Sequence, residues 1–201
     1  MGNILFIGPH PDDIEISCLG TLLKRQANND HIIMVYVSEC SDLPRNKTLM
    51  AESLEALSII SPDRMHRLDL PNRELDRSEN TTLLRGALEH IRDNTKIDLV
   101  YCPWLHDIHQ DHRAVSEVAI GVFRYNSIMM YENIHSTPHF DPNIYERISA
   151  DHFSKKIELL SLYKSQDQHQ IQRMVRLLMP MRGQEVSSDF AEAFYCWRGI
   201  R

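Results

Sequence analysis

The sequence contains two short clusters of histidine and acidic residues, which are side chains that can bind metals and transfer protons. They are separated by about a hundred positions and comprise His10, Asp12, Asp13 and Glu15 in the first, and Asp107, His109, Asp111 and His112 in the second. Imidazoles and carboxylates bind divalent cations, and they also transfer protons near neutral pH. Uncompensated charge at the end of a buried strand is costly to desolvate, and a metal ion would offset that cost. The clusters therefore predict a metal-assisted site.

Each cluster follows an apolar segment that is predicted to be a buried strand. Strands are expected at about 3–8, 32–37, 65–70 and 98–102. A first helix follows the first cluster and runs to about 27, and further helices are expected at about 47–60, 78–93 and 113–124. Strands that alternate with helices indicate βαβ units and a mostly parallel sheet. We expect one Rossmann-like α/β domain with three layers that spans residues 1–201.

The doubly-wound strand order would bring the two clusters together. In that order the fourth strand lies beside the first, on the side opposite the second strand. Ligands of open α/β sheets bind outside the carboxyl ends of the strands at this switch point. Two turns that are distant in the sequence would thus line one crevice.

The residue types in this crevice suit a catalytic metal centre. A histidine and an aspartate three residues apart in the first turn, together with a histidine of the second, would supply two nitrogens and one oxygen. Three protein ligands leave a position open for water or substrate, as in catalytic zinc sites. The remaining groups could serve as base, orienting carboxylate and acid. The competing interpretation is that Asp12 and Asp13 cap a helix, which explains one aspartate well and two poorly.

Composition narrows the class of protein. The chain has 201 residues, 42% of them hydrophobic, and a formal net charge of −6, which argues against nucleic acid as a partner. No apolar stretch approaches the roughly 18 residues that a membrane span needs. The N-terminus shows no signal-peptide pattern, and the four cysteines are scattered without a CxxC motif. We therefore expect a cytoplasmic protein without a membrane span.

Both clusters resemble the signature motifs of the PIG-L/LmbE-like family of zinc-dependent N-deacetylases. Residues 9–15, Pro-His-Pro-Asp-Asp-Ile-Glu, resemble the family's AHPDDxE motif, and residues 109–112, His-Gln-Asp-His, resemble its HPDH motif with Gln110 in place of proline. A helical segment at 155–166 is similar to the family's late helix. That helix ends in His-x-Ser-Gln, and here Tyr163 stands in place of the histidine.

The resemblance implies a specific ligand set for the metal. Zinc, or another divalent metal, would be bound by His10, Asp13 and His112. Asp107 lies two residues before the second motif, as is usual in the family, and would support the site. Glu15 would also support it or cap backbone amides, and it would not bind the metal.

The resemblance also implies catalytic roles. Asp12 would be the general base that draws a proton from water. His109 would act as acid or stabilise the oxyanion, and Asp111 would orient His109. The reaction would be removal of an acetyl group from the amide nitrogen of an N-acetylglucosamine-like amino sugar or its conjugate.

Substrate contacts are more weakly indicated than metal ligands. Arg45 and Arg73 are candidates, although solvated surface arginines would look the same. The polar loop at 131–143 is either a substrate lid or a plain connection, and as a lid it would offer His135 and His139 as sugar contacts.

Two other functions stay open at this point. One is a non-catalytic sugar- or nucleotide-binding module on a Rossmann-like sheet, although the first turn lacks the GxGxxG pattern. The other is metal-dependent phosphoester hydrolysis, although a two-metal site would need more bridging carboxylates. The resemblance is compatible with a homo-oligomer.

Overall fold

A computed structural model describes residues 1–40 and 46–200, and its strands join one seven-stranded sheet. The strands are β1 (Asn3–Gly8), β2 (His31–Tyr36), β3 (Arg64–Arg67), β4 (Leu99–Pro103), β5 (Ser127–Tyr131), β6 (Ile144–Ile148) and β7 (Phe190–Arg198). The helices are α1 (Asp13–Ala27), α2 (Leu49–Ile60), α3 (Ser78–Asn94), α4 (Gln110–Val122), α5 (Ala150–Leu160) and α6 (Gln168–Gln184). The strand order is β3-β2-β1-β4-β5-β7-β6.

The order of the sheet confirms that β4 lies beside β1, on the side opposite β2. The strands β3, β2, β1, β4 and β5 are all mutually parallel, and β7 pairs antiparallel with both β5 and β6. The mostly parallel α/β sheet predicted from the sequence is therefore present. Because β1, β4 and β5 are parallel, the turns that follow all three leave the same edge of the sheet.

Helices cover both faces of the sheet and form three layers. Along β1, Ile4 and Phe6 face the core beneath α1, α2, α5 and α6, whereas Leu5 and Ile7 face the core beneath α3 and α4. Burial on both faces explains why this strand is an unbroken apolar run. None of the described helices is long and apolar enough to cross a membrane.

Two elements differ from the sequence expectation in ways that matter for the site. Helix α4 begins at Gln110 rather than near Arg113, because the imidazole of His109 accepts a hydrogen bond from the backbone N–H of Asp111 and caps the helix. Helix α5 ends at Leu160, so residues 161–166 lie beyond it. The loop expected at 131–143 starts after Tyr131, which closes β5.

Candidate metal centre and catalytic cleft

The two motif turns meet at the carboxyl edge of β1 and β4. The ring centroids of His10 and His112 are 5.5 Å apart, and that of His109 lies 5.1 Å from His10 and 4.9 Å from His112. His10 precedes the first residue of α1, whereas His112 lies on the first turn of α4. Residues that are distant in the sequence thus share one crevice.

Three side chains in this crevice point ligand atoms at one another. Oδ2 of Asp13 lies 3.1 Å from Nδ1 of His10 and 3.4 Å from Nε2 of His112. Two ligands that are each ~2.1 Å from a shared tetrahedral zinc ion are about 3.4 Å apart. The spacing of these atoms and their N, N, O donor chemistry therefore fit a divalent cation bound by His10, Asp13 and His112.

The outer nitrogen of each ligand histidine contacts another buried carboxylate. Nδ1 of His112 lies 3.1 Å from Oδ2 of Asp107, and Nε2 of His10 lies 3.1 Å from Oδ2 of Asp111. A carboxylate at this position fixes which imidazole nitrogen keeps its proton and thereby turns the other nitrogen toward the metal. Asp107 therefore lies where a supporting residue is needed.

The neighbouring carboxylates raise the pKa values of the two ligand histidines. Burial lowers the pKa of His10, but the hydrogen bonds to Asp111 and Asp13 outweigh it and raise the pKa to about 10. Burial likewise lowers the pKa of His112, and the charge of Asp13 with the hydrogen bond to Asp107 raises it to about 9. Burial alone would raise the pKa of Asp13, yet the two histidines hold it well below its usual range. Without metal, two imidazolium groups thus flank one carboxylate.

A second set of possible ligands consists of His10, His109 and Asp111. Each carboxylate oxygen of Asp111 accepts a backbone hydrogen bond, Oδ2 from Arg73 at 2.7 Å and Oδ1 from Leu75 at 3.1 Å. The oxygens of Asp13 also accept one hydrogen bond each, from the backbone N–H of His10 and the amide of Asn133, so these contacts do not separate the two sets. Nδ1 of His109, however, accepts the Asp111 backbone N–H at 3.2 Å, so its neutral ring carries the proton on Nε2 and offers no free lone pair to a metal. The set built on Asp13 therefore suits a metal better.

The contacts of Asp111 correct one expected role. The family resemblance predicts that its carboxylate orients His109, but the carboxylate contacts His10 instead, and His109 is held by the backbone N–H of Asp111. The early start of α4 explains the difference, because it places Asp111 in the first helical turn, where its side chain reaches across to the other motif.

His109 is held in one tautomer. Since its Nδ1 accepts a hydrogen bond, the neutral ring carries its proton on Nε2. Burial lowers the pKa of His109, and the positive charges of His10 and His112 lower it further. His109 therefore lines the cleft as a neutral N–H donor.

Asp12 is half-buried at the cleft and beside the ligand cluster. Burial raises its pKa, as does the adjacent charge of Asp13, and the two ligand histidines partly offset this, leaving a pKa of about 7. A base is most effective when its pKa lies near the working pH. Asp12 thus has the position and protonation behaviour of a proton acceptor.

Glu15 and Tyr163 lie behind the cleft. Glu15 is fully buried and accepts a hydrogen bond from the hydroxyl of Tyr36, which in turn accepts one from Ser53 at 3.2 Å. Burial raises the pKa of Glu15 to about 8. Tyr163, which replaces the late histidine of the family motif, is also fully buried and belongs to the core packed on α1.

The crevice opens into a cleft of about 460 Å³ whose walls come from several segments of the described chain. Arg73 lies on its wall, as do His135, Asn46 and Gln166. His139 is exposed, and it is not one of the described residues that line this cleft. The structure therefore does not support its expected contact with sugar. The candidate Arg45 lies outside the described residues.

The site also contains residues that the sequence reasoning missed. Asn133 donates from Nδ2 to Oδ1 of Asp13 at 2.7 Å. The hydroxyls of Ser136 and Thr137 each donate to Oδ2 of Asp107 at 2.9 Å. The signal that could have found them is the apolar segment 127–131, which forms a strand parallel to β4 and sends the following turn to the same sheet edge.

Comparisons with known proteins identify relatives of this chain. The chain is 29% identical over 171 residues to a protein described as uncharacterized deacetylase YaiS of Escherichia coli (strain K12), covering 81% of this chain and 91% of that protein. Its fold is similar to that of the conserved protein TT1542 from Thermus thermophilus, with a TM-score of 0.83, 20% identity, and coverage of 100% and 97% of the two chains.

A second structure with the same fold is the N,N'-diacetylchitobiose deacetylase from Pyrococcus horikoshii. Its TM-score is 0.77 at 20% identity, and the match covers 96% of this chain and 82% of that one. The family model described as PIG-L, GlcNAc-PI de-N-acetylase, matches residues 5–123, a span that contains both motif turns. The chain therefore belongs to the PIG-L (GlcNAc-PI de-N-acetylase) family and is a hydrolytic N-deacetylase.

Proposed function

We propose that this N-deacetylase is zinc-dependent and removes the acetyl group from the amide nitrogen of an N-acetylglucosamine-like amino sugar or its conjugate. The observation that carries the proposal is the convergence of His10 Nδ1, His112 Nε2 and Asp13 Oδ2, with the two nitrogens 3.1 and 3.4 Å from the oxygen. Two nitrogens and one oxygen are a ligand set that suits catalytic zinc and leaves a position open.

The metal and the residues around its ligands have separate roles in the proposed amide hydrolysis. A bound divalent cation would polarise the amide carbonyl and lower the pKa of a water molecule to about 7. Asp12 accepts the proton that the water loses as its oxygen bonds to the carbonyl carbon, and it then returns that proton to the amide nitrogen as the C–N bond breaks. The products are acetic acid and the free amine, which together contain all atoms of the amide and the water and which ionise to acetate and an ammonium group at neutral pH.

His109 is proposed to stabilise the negative charge that develops on the carbonyl oxygen. Its neutral ring carries a proton on Nε2 and its pKa is lowered, so it donates a hydrogen bond without becoming charged. Of the two roles expected for His109, this tautomer favours stabilisation of the oxyanion over donation of a proton.

An amino sugar as substrate is supported by the cleft and by the relatives. The cleft wall is rich in groups that bind sugar hydroxyls, among them Asn46, Asn72, His135 and Gln166. The Pyrococcus enzyme with the same fold is named for an N-acetylated sugar, as is the family model. Arg73 at the rim is proposed to contact the group attached to the sugar. A cytoplasmic location, a homo-oligomer and a single domain over residues 1–201 stay predictions.

The decisive experiment measures products with metal-loaded and metal-free protein. Zinc-loaded protein is incubated with N-acetylglucosamine, its methyl glycoside, a nucleotide-linked form and diacetylchitobiose, and acetate and free amine are both quantified. We expect equal amounts of the two products from at least one substrate, and none after chelation. Saturable sugar binding without acetate release would instead support the non-catalytic binding module.

A further inference from the structure

We infer that the turn at residues 133–137 is a third part of the metal centre, which fixes the orientation of the two carboxylates that control the ligand geometry. This inference rests on the metal centre of the proposed function. The turn follows β5 and belongs to neither motif. Its side chains reach Asp13, a proposed ligand, and Asp107, the carboxylate behind His112.

Asn133 determines which oxygen of Asp13 is available. Its amide Nδ2 donates to Oδ1 of Asp13 at 2.7 Å, and both residues are buried, with 3% and 4% of their surfaces exposed. The other oxygen, Oδ2, is the one that faces His10 and His112. Asn133 thus occupies Oδ1, and Oδ2, which also accepts the backbone N–H of His10 at 2.9 Å, remains as the single oxygen that can bind a metal. A single ligand oxygen favours a compact tetrahedral centre.

Ser136 and Thr137 act on the second carboxylate. Their hydroxyls both donate to Oδ2 of Asp107, the oxygen that also contacts Nδ1 of His112. The backbone N–H of His109 donates to Oδ1 at 2.8 Å. With four donors around it, Asp107 is held in one orientation as an ionised acceptor, so His112 keeps its proton on Nδ1 and presents the Nε2 lone pair to the metal.

The turn is held rigid by its own hydrogen bonds. The backbone oxygen of Asn133 accepts from the N–H groups of Ser136 and Thr137 at 3.2 and 2.9 Å, and the N–H of Asn133 donates to Oγ1 of Thr137 at 3.0 Å. Oδ1 of Asn133 accepts from the N–H of His135 at 2.9 Å, and His135 lines the cleft. Asn133 therefore links the metal ligand Asp13 to the wall of the substrate cleft.

The test measures zinc affinity of the metal-free protein by competition with a chelating indicator. We expect Asn133→Ala and the double variant Ser136→Ala/Thr137→Val to bind zinc about 10- to 100-fold more weakly than wild type. Two single variants separate the hydroxyl from the methyl group of Thr137. Thr137→Val should bind zinc more weakly than wild type, whereas Thr137→Ser, which keeps the hydroxyl, should keep the zinc affinity of wild type. The matched control His135→Ala changes a cleft residue of the same turn and should leave zinc affinity unchanged.

Thermal unfolding separates a positioning role from a purely structural one. A structural role would lower Tm equally with and without zinc, whereas a positioning role reduces the increase in Tm that zinc produces. Zinc affinities within threefold of wild type in both Asn133→Ala and the double variant would overturn the inference. His112→Ala is measured in parallel, and if it keeps full zinc affinity, the proposed ligand set itself is wrong.

Discussion

Binding of zinc to the metal-free protein at pH 7 should release protons in a number set by the ligand histidines. The pKa of His10 is raised to about 10 and that of His112 to about 9, so both rings are protonated at pH 7. Zinc requires a neutral imidazole nitrogen. The protons that must leave are those on Nδ1 of His10 and Nε2 of His112, which face Asp13.

The expected number follows from these values. A group with a pKa of about 9 is about 99% protonated at pH 7, so the two histidines release about two protons. Asp12, whose pKa is raised to about 7, is partly protonated and loses that fraction of a proton when a cation binds beside it. His109 adds none, because its pKa is lowered and its ring is neutral. The total therefore lies between about two and three protons per zinc.

Isothermal titration calorimetry in buffers of different ionisation enthalpy counts these protons. The slope of observed enthalpy against buffer enthalpy should give between two and three, and the affinity should increase with pH between about 6 and 9. His135→Ala provides the control with an unchanged count. A release of fewer than one proton in wild type would refute the reasoning, because the histidines would then already be neutral.

The same pKa values set how the stability of the metal-free protein depends on pH. Both histidine pKa values are raised above the ordinary value of 6.5, so their stabilising contribution is complete below that pH. It is lost as the pH increases through 9 and 10. Urea unfolding across this range should show the decline in metal-free protein and a smaller one with zinc bound, and a flat profile without metal would contradict the assignment.

Three further predictions concern single residues. Asp12→Asn should bind zinc as wild type does and lose about 100- to 10,000-fold in kcat, and retained turnover would reject Asp12 as the base. His109→Ala should keep its zinc and lose about 100- to 1,000-fold in kcat, whereas loss of zinc would favour the alternative ligand set. Lys156→Met removes the counter-ion at 2.7 Å from buried Glu192, which keeps its backbone donors Gly20 and Thr21, and should lower the free energy of unfolding by about 3–5 kcal/mol in urea titrations. The matched change at the partly exposed pair, Lys24→Met, should cost no more than about 1 kcal/mol, and equal costs would contradict the burial argument.

The meeting of the two motifs was predictable because it depends on rules that act locally. The residues flanking His10 show a strand, a turn and a helix within 25 positions. The doubly-wound order then places the strand before His112 next to the first, and the sheet has this order. Neither step requires knowledge of a long-range contact between side chains.

The start of α4 was not predictable in the same way. Ser, Thr, Asp and Asn are the residues preferred as helix caps, and a histidine cap has no comparable sequence signal. Here Nδ1 of His109 serves as the acceptor, so Asp111 lies within the helix and its carboxylate turns toward His10. A shift of three residues in the helix start therefore changed the expected partner of Asp111.

The contribution of the turn at 133–137 was hidden for a different reason. The hydrogen bond from Asn133 to Asp13 spans 120 residues, and a single asparagine in a polar stretch looks like an ordinary turn residue. Strand β5, which delivers this turn, is only five residues long, and its antiparallel partner β7 begins almost sixty residues later. Recognition of this element requires the three-dimensional pairing of the strands.

Crystals of zinc-loaded protein, with anomalous diffraction collected at the zinc absorption edge, test the central claim most directly. We expect one anomalous peak per chain, about 2.0–2.2 Å from Nδ1 of His10, Oδ2 of Asp13 and Nε2 of His112. A peak coordinated instead by His109 and Asp111, or no peak in the crevice, would contradict it.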